Sequence, residues 1–317
     1  MHPARSVILF TTASGAGYGM IFLIVLGQLT GLLPLDSTLA FSSFGTAFAL
    51  IILGLASSTF HLGRPERAWR ALTQWRSSWL SREGIFALST FIPTGLYALL
   101  AAFGDGIFGN TMVLLALASL LLCAATVYCT AMIYASLKPV PAWCNHLVPA
   151  SYLVLALSSG ALLLNCILYF HSLNNRITDG ITVILLLAGL VTKFLYWQYI
   201  AENKGLSSVG TATGLGKMGK VRLLEAAHSE ANYLMKEMGF KIARKHSRRL
   251  RKITFVCGFI LPVFLISVAG LFASTALTNL VITLSILLGT IGVLTERWLF
   301  FAEAKHSVSL YYGAEKL

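Results

Sequence analysis

Between two long apolar stretches lie twenty-four residues, His61 to Gly84 (HLGRPERAWRALTQWRSSWLSREG), that hold five arginines, three tryptophans, two glutamates and one histidine. Histidine titrates near neutral pH, and a carboxylate drawn partly out of water has its proton affinity raised toward the same range. His61 directly follows one apolar stretch and Glu83 closely precedes the next, so both stand where lipid gives way to water. Such a pair suits proton-coupled redox chemistry on a lipid-soluble carrier such as a quinone. That chemistry needs a partly apolar slot, a hydrogen-bond donor for each carbonyl, and side chains that pass protons to water. Arg64 and Arg82 could hold Glu83 ionised or polarise a carrier oxygen, and Trp69, Trp75 and Trp79 could wall the slot. The plainer alternative is an interfacial loop, with arginines on lipid phosphates and tryptophans in the aromatic belt. Composition favours that alternative for the arginines and tryptophans taken singly and leaves it open for His61 with Glu83.

The elements that must position these residues are membrane helices. Residues are 56% hydrophobic and only 11% charged, with a mean hydropathy of +0.76, far from the balance of an ordinary water-soluble domain. Eight apolar stretches are each long enough to cross a hydrocarbon core of about 30 Å as a helix: 6–32, 38–60, 85–103, 110–136, 147–170, 180–201, 253–274 and 278–302. Runs such as Ile181 to Val191 are apolar all round, without the alternation of a barrel strand, so the expected fold class is an all-α polytopic bundle forming one membrane domain. The first run is too long for the core of a secretory signal and has no convincing small-residue cleavage site, which predicts a retained helix. Short turns at Leu33 to Ser37, Gly104 to Gly109 and Ser274 to Thr278 predict antiparallel hairpins.

Charge predicts the orientation. The face that carries the N-terminus, the 61–84, 137–146 and 202–252 segments and the C-terminal tail holds 21 Lys and Arg, whereas the opposite face has only Arg176. The positive-inside rule therefore places both termini and the His61 loop in the cytoplasm. The net charge of +12 reflects this bias and contact with anionic lipids rather than nucleic-acid binding. Five cysteines show no C-x-x-C spacing, which argues against an iron–sulfur cluster or zinc site held by this chain. All seven histidines lie at span ends or in loops, which argues against a haem held between facing helices.

Three segments, MHPARSVILFTTASGAGYG at the N-terminus, the HLGRPERAWRALTQWRSSWLSREG loop, and RLLEAAHSEANYLMKEMGFKIARKHSRRLR further on, resemble the membrane-anchor subunit of dimethyl sulfoxide reductases. They are similar as well to the anchor of membrane-bound, quinone-linked sulfite dehydrogenases, and the resemblance covers essentially the whole chain. It implies an eight-helix subunit without haem that binds ubiquinone or menaquinone. It further implies a docked iron–sulfur electron-transfer subunit, wired to a molybdopterin catalytic subunit. The family's quinol-site histidine falls on His61, its acid on Glu83 and its basic turn residue on Arg64. A docking face in the cytoplasm fits the sulfite-oxidising branch, with electrons running to quinone; the alternative is a quinol-oxidising anchor of an S- or N-oxide reductase.

In the 202–252 segment Val221, Leu224, His228, Ala231, Met235, Met238 and Ile242 recur at alternating three- and four-residue steps as a helical stripe beside Lys241, Arg244, Lys245, Arg248, Arg249 and Arg251. That pattern predicts an amphipathic helix resting on lipid phosphates or an acidic partner. The glycine-rich stretch before it, Gly205 to Gly219, lacks the order of a phosphate loop. Gly15, Gly17 and Gly19 with Tyr18 give the first span a smooth patch that another helix or a flat ring could approach, and Tyr18 joins the candidate quinone contacts. Lys193, about 12 Å from its span end by helical rise, could snorkel or reach Glu296 near the end of the last span, beside Arg297. A secondary transporter would need broken helices and midplane charges, which the sequence does not display. A purely structural anchor would leave His61 and Glu83 without a redox role.

Overall fold

The computed structural model describes all residues except 1–3, 35, 61, 63, 105–108, 204–207, 223, 226–241, 273, 313 and 315–317, and gives backbone alone at 60 and 242–245. Among the described residues there are eight helices long and apolar enough to cross a membrane and no strand. The first six spans are α1 (Arg5–Leu29), α2 (Ser37–Phe60), α3 (Trp79–Phe103), α4 (Asn110–Ala135), α5 (Leu147–Phe170) and α6 (Arg176–Glu202). After a short α7 (Val209–Thr213), α8 (Ile242–Phe255) continues through a π-helical turn, Val256–Ile260, into α9 (Leu261–Ala269), and together they supply the seventh span. The eighth is α10 (Thr275–Ala302).

In lipid the apolar side chains gain little by leaving the solvent, so association depends on close packing and on polar groups that find partners. α1 shows this best. It is the most enclosed span, packed against α2, α4 and α5. A Cβ on Gly19 would lie 1.9 Å from the carbonyl oxygen of Ala156, and one on Gly160 would lie 2.3 Å from the amide nitrogen of Met20. α1 and α5 therefore touch backbone to backbone, and the glycine patch expected on the first span receives helices. A second such contact, Gly258 in the π turn against Gly292, joins the seventh span to α10.

Loop chemistry sets the helix ends. Asp36 caps α2, its carboxylate accepting from the Leu39 amide at 2.8 Å and from the Thr38 hydroxyl. The Thr38 bond above all holds the Asp36 carboxyl below its ordinary range. Asn175 starts α6 with a reciprocal capping box shared with Thr178. The third span begins at Trp79, six residues before the expected 85, because the Ser78 hydroxyl accepts from the Ser81 amide as an N-cap. Glu83 is consequently not a loop residue but sits about 6 Å inside the helix by rise. In the 202–252 segment α7 and α8 are helical, whereas His228, Ala231, Met235, Met238 and Lys241 lie outside the described residues, as do the side chains of Ile242, Arg244 and Lys245.

Candidate functional site

Residues Pro65–Gln74 form a 3-10 segment that folds back across the start of α3. The Ser81 hydroxyl donates to the carbonyl of Ala71, and Leu72 lies where a Cβ on Gly84 would be 2.7 Å away. Arg82 closes the segment: its Nε and Nη2 donate to the carbonyls of Trp75 and Arg76 at 2.8 and 2.7 Å, and its guanidinium lies 4.3 Å from the centre of the Trp79 ring. Those two bonds occupy the guanidinium with backbone, so Arg82 orders the loop and forms no ion pair with Glu83. Arg64 is exposed, as are Trp69 (61%) and Trp75 (54%). Trp79 is half-buried against Tyr128. His61 lies outside the described residues.

Glu83 points inward, 4% exposed. Its carboxylate oxygen Oε1 contacts the hydroxyl of Thr130 on α4, and that hydroxyl is also 3.0 Å from the carbonyl of Thr126. A hydroxyl has one proton to give. When Glu83 is ionised, Thr130 donates to it; when Glu83 is protonated, the carboxyl donates to Thr130, which turns its own proton to Thr126. The pair keeps its hydrogen bond in both protonation states. An acid that must take up and release protons in a low-dielectric setting needs that property, because an unpaired buried polar group is costly.

Thr130 also lines a narrow crevice between α1, α4, α5 and α10 that Tyr18, Tyr152 and Arg297 line as well. Tyr18, 2% exposed, is thus gathered with the Glu83 partner, whereas Arg64, Trp69 and Trp75 stay on the outer loop. Beyond the crevice, Arg297 Nε is 3.2 Å from Glu296 Oε2, and Lys193 Nζ is 2.6 Å from Glu296 Oε1, each of the three side chains 3% exposed or less. Aromatic faces enclose both cations: Arg297 lies 3.8 Å from the Tyr152 ring centre and Lys193 3.8 Å from that of Tyr196. Tyr152 is in turn stacked on Tyr134, which packs edge-on against Trp143, Phe300 and Phe301. Sequence reasoning reached Lys193, Glu296 and Arg297 as possible partners but missed Thr130 and Tyr152, whose residue types are common in membrane helices. Their only sequence signal is that a buried carboxylate requires a hydroxyl or amide opposite it.

Among the described residues no group of three or more His, Cys, Asp or Glu side chains is placed to hold a metal ion. Cys123, Cys129 and Cys166 are buried, and the five cysteines are free thiols.

Residues 1–313, which contain all eight spans and this site, match the DMSO reductase anchor subunit (DmsC) family. The chain belongs to that family. As a DmsC-type anchor it is also 35% identical to a sulfite dehydrogenase subunit of Allochromatium vinosum, across 98% of this chain and 99% of the relative. No solved structure matches it. The expected family resemblance and all-α membrane architecture are both upheld, and in this DmsC-family anchor Glu83 turns inward from the first turns of the third span.

Proposed function

We propose that this anchor passes electrons between a docked iron–sulfur subunit and the membrane quinone pool, with substrate chemistry confined to a molybdopterin subunit of the same complex. The observation that carries the reading is the Glu83 carboxyl at the foot of the 61–84 segment, buried yet hydrogen-bonded in either protonation state by Thr130. A quinone, when bound, supplies the two-electron, two-proton couple. The donor set fits such a head group: a carboxyl that can give or take a proton, His61, which follows α2 in the sequence, and an apolar lipid-facing surface on α3 that includes Leu80 and Leu88. His61 and Glu83 exchange protons with the head group, Tyr18 lies on the inner side, and Arg82 with Trp79 holds the loop in shape. Arg64 and Trp69, exposed on the loop, contribute to the mouth of the site.

The excess of Lys and Arg on this face supports its placement in the cytoplasm of a bacterial inner membrane, and likeness to a sulfite dehydrogenase subunit supports sulfite as the partner's substrate. Proton uptake and electron delivery then occur on one side, so the reaction at this site moves no net charge across the bilayer. The family's DMSO reductase description supports the second reading, in which quinol is oxidised here and an S- or N-oxide is reduced. The test uses the assembled complex. His61→Ala or Glu83→Gln should abolish coupling to quinone while sulfite oxidation with a soluble artificial acceptor persists. Equal loss in both assays overturns the assignment, and sulfoxide-dependent quinol oxidation without sulfite-dependent quinone reduction selects the second reading. A purely structural anchor predicts that both variants retain quinone coupling.

A further inference from the structure

We propose that the cavity between the C-terminal parts of α1 and α5 and the first turns of α6 binds one membrane phospholipid whose head group carries N–H or O–H donors, with an acyl chain against the apolar wall and a donor on Asn165 Oδ1. By chain order this cavity lies at the end of the bundle opposite the 61–84 segment. It shares no residue with the crevice beside Thr130, so the inference stands independently of the quinone reading.

The cavity holds about 270 Å³, near the lower end of small-ligand sites, which run from about 300 to 1,000 Å³. Its wall is mostly carbon, supplied by Leu23, Leu26, Leu164, Leu168 and Ile181 among others. Left empty, a void of that size forfeits the close packing that holds helices together in lipid. Water fills it poorly, because each molecule needs about two to four polar partners and carbon offers none. A hydrocarbon chain suits the wall. Leu26 and Thr30 line the cavity and are exposed, so a chain can enter from the bilayer.

One polar atom sets the head-group chemistry. Asn165, 2% exposed, lines the cavity and donates through Nδ2 to Asp179 Oδ1 at 2.8 Å and to the Thr182 hydroxyl at 3.3 Å. A carboxyl oxygen as partner requires the NH2 branch of the amide, which fixes Oδ1 as the other branch, and Oδ1 is buried with no hydrogen-bond partner. An orphaned acceptor at that depth is costly, and only a donor relieves it. The lining threonines supply none: Thr30, Thr178 and Thr182 give their hydroxyl protons to the carbonyls of Leu26, Asn175 and Thr178. A ligand head must therefore bring its own N–H or O–H. Oxidised quinone presents acceptors alone, and no lining residue carries a titratable side chain, so the cavity does not suit quinone redox chemistry. Arg176, the one basic residue that the charge pattern assigns to this face, opens α6 two residues before Thr178 and is exposed, which offers a lipid phosphate its counter-charge.

The test reconstitutes the assembled complex in nanodiscs of equal parts phosphatidylethanolamine, phosphatidylglycerol and phosphatidylcholine with the same acyl chains. A high-resolution map then shows the cavity, and native mass spectrometry of the released complex identifies the lipid retained. The choline head has no N–H or O–H, so the expected result is a lipid chain resolved in the cavity, with the ethanolamine or glycerol lipid retained at least about tenfold over the choline lipid. Asn165→Leu removes the acceptor and should erase that preference; Thr30→Trp closes the mouth and should clear the chain from the map. A cavity that is empty, filled by water or occupied by quinol overturns the proposal, as does equal retention of the choline lipid. An unchanged preference in Asn165→Leu also overturns it. If that variant fails to assemble, Thr30→Trp decides, and an undisturbed chain in its map counts against the site.

Discussion

Lys193 Nζ stands 2.6 Å from Glu296 Oε1 with both side chains sealed from solvent, an ion pair between α6 and α10 inside the span region. Opposite charges in hydrocarbon are tolerated only together, because either one alone keeps its desolvation cost and loses the compensating attraction. The second cation, Arg297, is bonded to the other oxygen of the same carboxylate, so Glu296 is the hub on which both cations depend.

Removing one spoke should cost less than removing the hub. Lys193→Met leaves Glu296 with Arg297 and is expected to destabilise the chain by about 3 kcal/mol, whereas Glu296→Met strands two buried cations and should cost more. Thermal unfolding of the detergent-solubilised complex, with each variant compared at equal detergent, measures the order. A smaller loss for Glu296→Met would contradict the hub arrangement.

Thr130 tests the proton switch at Glu83 without touching the acid. Thr130→Val keeps the shape and removes the hydroxyl, so quinone-linked turnover should fall by about 10²-fold; Thr130→Ser should restore most of it. Soluble-acceptor activity of the complex serves as the control for assembly. If valine and serine behave alike, the hydroxyl has no part in the chemistry.

Close backbone approach predicts a sharp contrast between two glycines on neighbouring spans. Gly19→Ala drives a methyl into the Ala156 carbonyl and should cost roughly 1–3 kcal/mol, while Gly45→Ala on α2, with open space around it, should be neutral or mildly stabilising. Yield and thermal midpoint of the two variants give the answer.

The cap on α2 carries a pH dependence of known sign. Bonds from the Thr38 hydroxyl and Leu39 amide lower the Asp36 carboxyl's pKa relative to the unfolded chain, so the cap's contribution is full above the ordinary carboxylate range and is lost as pH falls through the folded value. The protection factor for hydrogen exchange at the first turn of α2, taken relative to the intrinsic rate at each pH, should therefore fall in acid, and Asp36→Asn should leave that protection factor nearly insensitive to pH over the same interval.

How much of this was legible in sequence follows from the range of each signal. Hydropathy reports on a single helix against lipid, so eight spans could be read from composition and run length alone, with their ends displaced where helix continues through polar residues, as at Ser78 and in the basic start of the seventh span. Ser78 is a cap: it starts α3 among the polar residues Ser81 and Arg82 and draws Glu83 into the bundle. His61 and Glu83 stood out because titratable groups beside apolar runs are rare. Thr130 could not be ranked that way, since threonine hydroxyls bonded to their own helix cost little and are abundant in spans, and nothing in its sequence surroundings sets Tyr152 apart from other membrane tyrosines.

Run length and charge bias, both properties of short windows, thus determined that the chain has eight segments able to span a membrane and which face concentrates its basic residues. The tertiary structure alone decided which groups meet: Glu83 with Thr130 at a separation of 47 residues, and Lys193 with Glu296 from different spans. Those encounters depend on the rotation of each helix about its axis, which in lipid is fixed by backbone contacts such as Gly19 on Ala156 and by buried polar pairing rather than by any apolar stripe.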